Sequence, residues 1–434
     1  MKILVIGGGG REHALVWKLK QSASVDRIWC APGNGGISND AECIQADLKD
    51  VGGLIELAKR LKPDLTVIGP ELPLVFGLAD KLRALGFAVV GPGALGAQLE
   101  GSKTFAKRFM ERQGIQTARV YGVFEDSVEA RRALAEVSWP IVIKADGLCA
   151  GKGVLVTSDR GEAERFIVRS MEKGEFGEGG RKILLEEGLT GEELSYIVLT
   201  DGERVLPFVP TRDHKRLLDG DRGQNTGGMG AFSDDSLLSP ELEAAIQMDV
   251  VQPTIRGLKR EGIPYRGFLY FGFMITLDGP KVLEYNCRMG DPEAQAILLR
   301  ADFDLAKALL AVAEGDVSAI KANWKRGASI CVVMAAKGYP ENPVIGDKIR
   351  GLNPVSSNGG GIVFHAGTRR ENGSYYVSGG RTLGVSALGS DLGLARANAY
   401  DVVSNIAFAG VQFRTDIGGT GSLRASSASG GNRL

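Results

Sequence analysis

The first hundred residues alternate short apolar strands with helices, and this alternation constrains the fold more than any other sequence feature. Residues 2–6 are predicted to form a strand, 7–10 a tight turn and 11–20 a helix. Further strands are predicted at 27–31, 65–68 and 88–90, with helices at 54–61 and 77–85. Such alternation is typical of a parallel sheet covered on both faces. Residues 1–100 are therefore predicted to form a doubly wound α/β domain.

Loops at the carboxyl ends of such strands are where these sheets bind ligands. In this domain they are residues 7–12, 32–36 and 69–73. The first has four glycines running into a helix, so backbone N–H groups and the helix N-terminus would face an anion beside Arg11. A dinucleotide motif fails, because its third glycine would fall on Glu12 or His13. A phosphate of a smaller ligand and a simple tight turn both remain open.

Composition narrows the classes of function. Lys plus Arg and Asp plus Glu are both 52, so no general attraction to nucleic acid or an anionic membrane is indicated. The five cysteines include no C-x-x-C pair, which favours a reducing compartment over a disulfide framework or structural zinc. We expect a cytoplasmic, monomeric protein that binds neither nucleic acid nor membranes.

A glycine-rich stretch marks the middle of the chain. Residues 101–113, with Lys103, are predicted to be a helix leaving the first domain, and 141–144 and 154–157 to be strands. Residues 147–153 between these strands are not a P-loop, because Gly153 stands where a hydroxyl is needed and a strand follows. A hairpin tip covering phosphates with backbone amides, beside Lys144 and Lys152, is the better interpretation. The alternative is a flexible turn with solvated lysines.

Two further segments carry polar groups that suit a ligand. Residues 182–195 place Glu186, Glu187 and Glu193 at strand ends, where they could hold a base and a ribose or could be exposed surface acids. Residues 211–230 form the most polar stretch, which we predict to be a long functional loop without secondary structure. Its glycines permit close backbone approach to a ligand, and Asp213 and Lys215 add opposite charges.

Residues 281–293 contain the candidate metal ligands. If 281–286 is a strand, Val282, Glu284 and Asn286 share one face. A carboxylate and an amide oxygen suit Mg²⁺, which completes its shell with water and substrate phosphates. Arg288 follows the strand, and Asp291 is predicted to cap a helix through residue 299, with a proline and an acid in its first turn. A solvated Glu284 is the alternative.

The remaining chain suggests a small third domain. Strands at 329–335, 362–366 and 380–387 and a helix at 391–407 predict an α+β unit. We place the domains at 1–100, 101–322 and 323–417, the second divided into a lid at about 120–190 and a core at about 191–322. Residues 418–434 are rich in Gly, Ser and Arg and are predicted to be disordered.

Taken together, these motifs resemble the phosphoribosylamine–glycine ligase family of ATP-grasp enzymes. The resemblance covers nearly the whole chain. Its motifs, in chain order, are G-G-R-E-H-A, A-P-G-N, G-P-E-L-P-L, L-E-G-S-K, I-V-I-K-A-D-G-L-C-A-G-K-G-V, D-H-K-R, N-T-G-G-M-G-A, E-Y-N-C-R-M-G-D-P-E and V-F-H-A-G-T. It implies an ATP-grasp fold, ATP as cosubstrate with Mg²⁺ or Mn²⁺, and formation of phosphoribosylglycinamide through glycyl phosphate.

The resemblance also assigns roles to residues. Glu284 and Asn286 would hold the metal, Arg288 the glycine carboxylate and Asp213 the glycine ammonium, with Lys144 also catalytic. The remaining residues implied in ATP binding are Lys103, Gly151, Lys152, Gly153, Glu186, Glu187, Leu189 and Glu193. Those implied in phosphoribosylamine or glycine binding are Gly10, Arg11, Asn34, Glu71, Lys215, Asn225, Thr226, Gly227, Gly228 and Asp291.

Three departures from the family pattern and three rival functions accompany this interpretation. Gly8 stands where the family often has asparagine, no carboxylate occurs on the strand at 268–276, and the sequence drifts from the pattern after residue 418. The rivals are another ATP-grasp ligase such as a carboxylase or formate-using transferase, a dinucleotide-binding oxidoreductase and a catalytically silent nucleotide sensor. The D-H-K-R and N-T-G-G-M-G pair disfavours the first rival.

Overall fold

The amino-terminal segment forms a parallel sheet with helices on both faces. The computed structural model describes residues 1–149, 151–352 and 361–419. The strands are β1 (Lys2–Gly7), β2 (Arg27–Pro32), β3 (Glu42–Cys43), β4 (Leu65–Ile68) and β5 (Val89–Val90), in the order β3-β2-β1-β4-β5. The helices are α1 (Gly10–Leu19), α2 (Val51–Leu61), α3 (Glu71–Val75), α4 (Leu78–Ala84) and α5 (Ala94–Gly101).

Strand β1 explains why this sheet is doubly wound. It pairs in parallel with β2 and β4, and its side chains alternate between two different apolar clusters. Leu4 and Ile6 pack in one cluster and Ile3 and Val5 in the other, all fully buried. A strand buried on both faces needs helices on both sides, so the predicted architecture is confirmed. The carboxyl ends of β1, β2 and β4 bring the three ligand-loop candidates to one edge.

The next segment forms a smaller sheet with its own core. Its elements are α6 (Lys103–Gln113), β6 (Val120–Phe124), α7 (Ser127–Ala133), β7 (Ile141–Ala145), β8 (Val154–Thr157), α8 (Arg160–Ile167) and β9 (Ile183–Glu187). The strands lie in the order β6-β9-β7-β8, and β7 pairs antiparallel with β8. Residues 146–153 therefore join two strands of a hairpin, as predicted. Ile141, Ile143 and Phe166 lie in the apolar cluster of this lid sheet.

The central segment continues with a second antiparallel sheet. Its elements are β10 (Glu192–Thr200), β11 (Val205–Pro207), β12 (Arg212–Asp213), β13 (Arg216–Leu218), β14 (Arg222–Asn225), β15 (Gly230–Asp234), α9 (Pro240–Ile246), α10 (Gln252–Arg260), β16 (Gly267–Thr276), β17 (Gly279–Asn286), α11 (Glu293–Arg300) and α12 (Leu305–Glu314). The sheet order is β11-β10-β16-β17. A π-helical turn, Gln247–Val251, links α9 to α10.

A β-bulge in β17 corrects the predicted face of one residue. Gly272 pairs with Glu284, but the next residue, Phe273, pairs with Val282, so Leu283 is an extra residue in β17. Residues that pair directly project to the same face, and a bulge reverses the alternation beyond it. Val282 therefore lies in the apolar core together with Tyr285, opposite Glu284. Glu284 and Asn286 still share one face, as predicted, because both follow the bulge.

Two local predictions were wrong. Residues 211–230 are not a structureless loop, because β13 and β14 form a hairpin within it, turning where Gly220 and Asp221 adopt positive φ. Asp291 does not cap α11; this helix begins at Glu293, with Pro292 at the capping position and no side-chain cap. The side chain of Asp291 instead accepts hydrogen bonds from Gln295 and from the backbone of Arg11.

The carboxyl-terminal elements contribute to two sheets, one of five strands and one of three. They are β18 (Ala328–Ala335), β19 (Lys348–Ile349), β20 (Ile362–His365), β21 (Thr368–Glu371), β22 (Ser374–Val377), β23 (Arg381–Gly389) and α13 (Leu392–Asn405). The five-stranded sheet has the order β12-β15-β18-β23-β20, so the central segment contributes two strands to it. The segment that connects those strands is thereby fixed against the third domain. The three-stranded sheet has the order β19-β22-β21. Of residues 418–434, which were predicted to be disordered, Gly418 and Gly419 are ordered: Gly418 N donates to His214 Nε2 at 3.5 Å and Gly419 N to Asp416 O at 2.9 Å. The rest of that prediction lies outside the described residues.

None of the helices in the described ranges is long and apolar enough to cross a membrane.

Candidate active site

Glu284 and Asn286 lie on the polar face of the central sheet. They pair with Gly272 and Tyr270 of β16, and a Cβ on Gly272 would lie 3.2 Å from Cγ of Glu284. Glycine at position 272 therefore leaves space for the Glu284 side chain. The Tyr270 hydroxyl on the same face shares a 2.7 Å hydrogen bond with Ser195, whose hydroxyl also donates to Glu293 at 3.2 Å.

Cationic side chains keep Glu284 ionised. Burial would raise the pKa of Glu284, but Lys215, Lys144 and Lys103 outweigh it and lower this pKa below its usual value. Lys215 Nζ also lies 2.8 Å from Glu193 Oε2, so Glu193 is engaged in an ion pair. An ionised carboxylate beside an amide oxygen suits Mg²⁺ or a similar ion. Within the described part of the chain, no three His, Cys, Asp or Glu side chains form a metal-binding group.

Lys144 is held between the two sheets. Its Nζ donates to the carbonyl oxygen of Leu283 at 2.9 Å and lies 3.0 Å from Glu186 Oε2. The bulge residue therefore anchors the lid lysine. Lys107 approaches the other carboxylate oxygen of Glu186 at 3.1 Å, and burial lowers the pKa of Lys107 to about 8. Glu186 is almost fully buried between two lysines.

Sequence reasoning overlooked Lys107, although a signal for it exists. It follows Lys103 by four residues on α6, and positions four apart lie on the same face of a helix. Ser102 caps this helix, because its hydroxyl accepts from the backbone of Phe105 at 3.1 Å. Lys103 Nζ reaches the carbonyl oxygen of Gly147 at 3.4 Å, which connects α6 to the glycine-rich hairpin.

The glycine-rich hairpin contacts the turn at residues 225–228. A Cβ on Gly151 would lie 3.1 Å from the carbonyl oxygen of Thr226, and Asn225 Nδ2 donates to Val154 O at 3.4 Å. Lys152 is exposed at this tip, while Gly153 is buried. The Thr226 hydroxyl accepts from the Gly228 amide at 3.0 Å. Two segments that are far apart in sequence and were both predicted to bind ligand therefore meet.

Arg288 binds two carboxylates in this structure. Its Nε lies 3.2 Å from Glu71 Oε2, and its Nη2 lies 2.8 Å from Glu100 Oε1. Burial raises the pKa of Glu100, whereas Arg288 and Arg11 outweigh burial at Glu71 and lower its pKa. Glu100 belongs to the L-E-G-S-K motif, but sequence reasoning gave it no role. Arg288 is thus positioned by two helices of the first domain, α3 and α5.

Asp213 is a buried acceptor close to Gly228. Burial and the nearby Glu293 raise the pKa of Asp213 well above its ordinary value. Among the described residues, Asp213 Oδ1 has no hydrogen-bond partner. A Cβ on Gly228 would lie 2.8 Å from this oxygen, so the backbone packs closely around it. A cationic ligand group would satisfy the orphaned oxygen and favour its charged form.

Arg11 and Asp291 connect the first loop to the end of β17. Arg11 donates from Nε to Glu12 Oε1 at 2.6 Å and from Nη1 to the carbonyl oxygen of Met289 at 3.2 Å. Its backbone N–H donates to Asp291 at 3.3 Å. Arg381 donates to the carbonyl oxygen of Asp291 at 2.6 Å and also contacts its carboxylate. Nothing in the sequence separates Arg381 from the other arginines, because its closest partners are distant backbone carbonyls.

Asn34 joins two loops to the third domain. Its Nδ2 donates to the carbonyl oxygens of Gly8 at 2.9 Å and His365 at 2.7 Å, and its Oδ1 accepts from Gly36 and Ile37. Gly10 is similarly constrained, because a Cβ there would lie 2.4 Å from Gln295 Nε2.

Two of the proposed nucleotide residues lie at the edge of this arrangement. Glu187 Oε1 accepts from the backbone N–H of Arg119 at 3.0 Å. Leu189 follows in the half-buried connector between β9 and β10. The structure therefore brings the lysines, Glu186, Glu284 and Asn286 together, while Glu187 and Glu193 are already engaged with other protein groups.

The lid sheet and the central sheet, with the charged residues between them, define an ATP-grasp fold. The biotin carboxylase domain of a Hydrogenobacter thermophilus 2-oxoglutarate carboxylase, solved with MgADP and bicarbonate, has a similar fold, with a TM-score of 0.71 and 19% identity over 95% of this chain and 91% of that chain. The chain belongs to the phosphoribosylglycinamide synthetase family. Models of that family's N domain, ATP-grasp (A) domain and C domain match residues 1–100, 101–294 and 329–420.

Two relatives extend the match over nearly the whole chain. A phosphoribosylamine–glycine ligase of Allochromatium vinosum is 47% identical over 421 residues, which are 96% of this chain and 98% of the relative. The crystal structure of phosphoribosylamine–glycine ligase from Thermotoga maritima is similar with a TM-score of 0.84 and 33% identity, covering 96% of this chain and all of that one.

Proposed function

We propose that the chain uses ATP to join glycine to 5-phosphoribosylamine, giving phosphoribosylglycinamide, ADP and phosphate as a step of purine biosynthesis. The observation that carries this proposal is that Lys144 lies 2.9 Å from the carbonyl oxygen of Leu283, beside Glu284, whose pKa is lowered by the charges of Lys215, Lys144 and Lys103. Such a cluster of lysines beside an acidic metal site suits a polyphosphate. Family membership and the two ligase relatives support the choice of substrates. We further propose a cytoplasmic monomer that binds no nucleic acid.

The reaction proceeds through an activated acid. A carboxylate oxygen of glycine attacks the γ-phosphorus of ATP, the bond from that phosphorus to the β-phosphate oxygen breaks, and ADP leaves. The amine nitrogen of phosphoribosylamine then attacks the acyl carbon, the carbon–oxygen bond to phosphate breaks, and the amine proton departs with phosphate. No protein nucleophile is required, so the chain contributes positioning, charge and exclusion of water.

The nucleotide end of the site consists of Lys103, Lys144, Lys107, Glu186 and the hairpin at 146–153. Lys144 and Lys103 would bind phosphate oxygens, and the hairpin amides would close over them, with Lys152 at the tip. Glu186 orients Lys144. Glu187, Leu189 and Glu193 would line the adenosine pocket. Glu193 would release Lys215 and accept hydrogen bonds from the ribose hydroxyls. Glu284 and Asn286 would hold Mg²⁺ or Mn²⁺, which neutralises phosphate charge when bound.

The acceptor end of the site binds the two smaller substrates. Arg288 would bind the glycine carboxylate in exchange for Glu71, the weaker of its two contacts. Asp213, which has an orphaned oxygen, would accept from the glycine ammonium, with Lys215 beside it. Gly10, Arg11, Asn34 and Glu71, with the turn at 225–228 and Asp291, would bind phosphoribosylamine.

A phosphate-release assay tests this proposal and separates it from its rivals. The purified chain is given ATP and Mg²⁺ with glycine and phosphoribosylamine together, and then with each omitted. We expect full turnover only with both. Release driven by bicarbonate or formate instead of glycine would identify another ligase, and ATP binding without release would identify a nucleotide sensor. Either result would overturn the proposal.

A further inference from the structure

Two of the three histidines in the chain face each other where the first and third domains meet. His13 lies on α1 and His365 ends β20. The backbone N–H of His365 donates to Nδ1 of His13 at 2.7 Å, and the ring centroids lie 5.7 Å apart. Both residues are buried. The bond is thus a shielded contact between residues 352 positions apart.

The environment of His13 determines which ring nitrogen carries the proton. Because Nδ1 accepts, the proton of a neutral ring is on Nε2, which lies 3.5 Å from Asp40 Oδ2. The bond to His13 and an ion pair with Lys20 at 2.8 Å lower the pKa of Asp40 to about 2. Asp40 therefore stays ionised and favours the tautomer that leaves Nδ1 free to accept.

His365 connects His13 to the two loops that are proposed to bind substrate, residues 7–10 and 32–36. Its N–H is bound by His13, while its carbonyl oxygen accepts from Asn34 Nδ2 at 2.7 Å. The same amide nitrogen of Asn34 donates to Gly8, and Gly35 N donates to Thr368 O at 2.9 Å. A Cβ on Gly36 would lie 2.3 Å from the His365 ring and 2.6 Å from the His13 ring. The loop at 32–36 thus packs directly on the histidine pair.

We propose that His13 is a positioning residue for phosphoribosylamine: through His365 and Asn34 it fixes the loops at 7–10 and 32–36 in their binding geometry. The inference rests on the proposed substrate site, because it assigns no direct substrate contact to His13. It gives His365 of the third domain a role in that site, because its N–H and C=O groups are bound by two elements of the first domain.

The test compares two amide substitutions that place their acceptor differently. In His13→Asn, Oδ1 is bonded to Cγ as Nδ1 is in histidine, so the acceptor for His365 N–H is kept. In His13→Gln, the amide lies one bond further out, near the former Nε2, and the buried N–H loses its acceptor. Trp17→Phe is the packing control, because Trp17 also contacts Phe364 on β20 through an aromatic edge.

We expect H13Q to raise the KM for phosphoribosylamine about tenfold, while the KM values for ATP and glycine change less than twofold. H13N should recover most of this loss, and W17F should have little effect on any of the three KM values. An unchanged KM for phosphoribosylamine in H13Q, or a fall in kcat with all three KM values unchanged, overturns the inference. If H13Q does not fold, Asp40→Leu replaces it, with an expected rise of about threefold in the same KM; no rise overturns the inference.

A fourth variant separates this inference from the substrate site on which it rests. Asn34→Ala should raise the KM for phosphoribosylamine more than H13Q does, because it removes the side chain that joins both loops. If N34A leaves that KM unchanged, the substrate site itself is wrong. If N34A raises it and H13Q does not, only the positioning role of His13 is wrong.

Discussion

The nucleotide end and the phosphoribosylamine end of the candidate site are built from different parts of the polypeptide. At the nucleotide end, the polar groups are charged side chains on strands and a helix: Lys103, Lys144, Glu186 and Glu284. At the other end they are mostly backbone N–H and C=O groups of loops, joined by Asn34 and packed on glycines that leave no space for a Cβ.

This difference determines how each end responds to change. The charged end depends on a balance of several opposite charges, so losing one carboxylate alters the protonation and position of its neighbours. The loop end depends on shape, so its substitutions act by displacing backbone. Substitutions of similar size should therefore mainly affect catalysis at the first end and substrate affinity at the second.

Removal of the Glu284 charge should have the largest effect. Glu284→Gln keeps the shape but removes the anion that the three lysines face, and we expect kcat to fall by about 10²–10³-fold without loss of fold. Phosphate release and thermal unfolding would be measured together. Glu178→Gln is the matched control, because Glu178 is an exposed lid carboxylate. If E284Q had wild-type activity at saturating Mg²⁺, Glu284 would not be a metal ligand.

Arg288 lies between the two ends and tests whether glycine is bound there. Arg288→Lys keeps the charge but cannot contact two carboxylates in the same geometry, so we expect the KM for glycine to rise about 10–100-fold. The KM for ATP should change little. The opposite pattern, with ATP affected and glycine unaffected, would place Arg288 at the nucleotide end.

Asp213 gives a pH-dependent prediction. Its pKa is higher in the folded chain than in the unfolded one, so folding favours the protonated carboxyl and stability falls as pH rises above the unfolded value. Asp213→Asn removes this penalty. We expect its melting temperature to exceed that of the wild type by an amount that grows from pH 4 towards neutral pH, to about 2–4 °C.

The same variant should bind glycine about tenfold more weakly, because a neutral amide replaces the acceptor for its ammonium group. If the difference in melting temperature between D213N and the wild type stayed constant from pH 4 to neutral pH, the Asp213 carboxyl would not be the titrating group.

The comparison also explains how far the sequence could predict the site. The alternation of strands and helices predicted the first domain, and a two-residue spacing was sufficient to place Glu284 and Asn286 on one face. The bulge at Leu283 could not be predicted, because it depends on pairing with β16, and it moved Val282 to the core. Asp291 was expected to cap a helix but contacts Gln295 and the Arg11 backbone, since tertiary partners outweigh the local signal.

Contacts at the loop end were harder to predict, because they join distant backbone atoms. The motif V-F-H-A-G-T contains His365, but the bonds of His365 to His13 and Asn34 use its peptide groups, which every residue has. Similarly, Arg381 binds the carbonyl oxygens of Gly227 and Asp291, and no side-chain pattern indicates such partners. The sequence therefore identifies the charged side chains of a site better than it identifies the backbone groups that position them.

The smallest expected effect concerns Gly10, which tests the shape-dependent end without changing any charge. In Gly10→Ala the added methyl would lie 2.4 Å from Gln295 Nε2, so this amide must move and its 2.9 Å bond to Asp291 weakens. Loss of one neutral-to-charged hydrogen bond, partly offset by relaxation, should raise the KM for phosphoribosylamine about threefold to tenfold. The KM for ATP and the fold should be unchanged.

Gly86→Ala is a useful control for adding a methyl group, because a Cβ there meets no atom within 4 Å, although its positive φ adds some backbone strain. If G10A instead lowered kcat at saturating substrates, the loops would take part in the chemical step, and the separation between a charged catalytic end and a shape-dependent binding end would not hold.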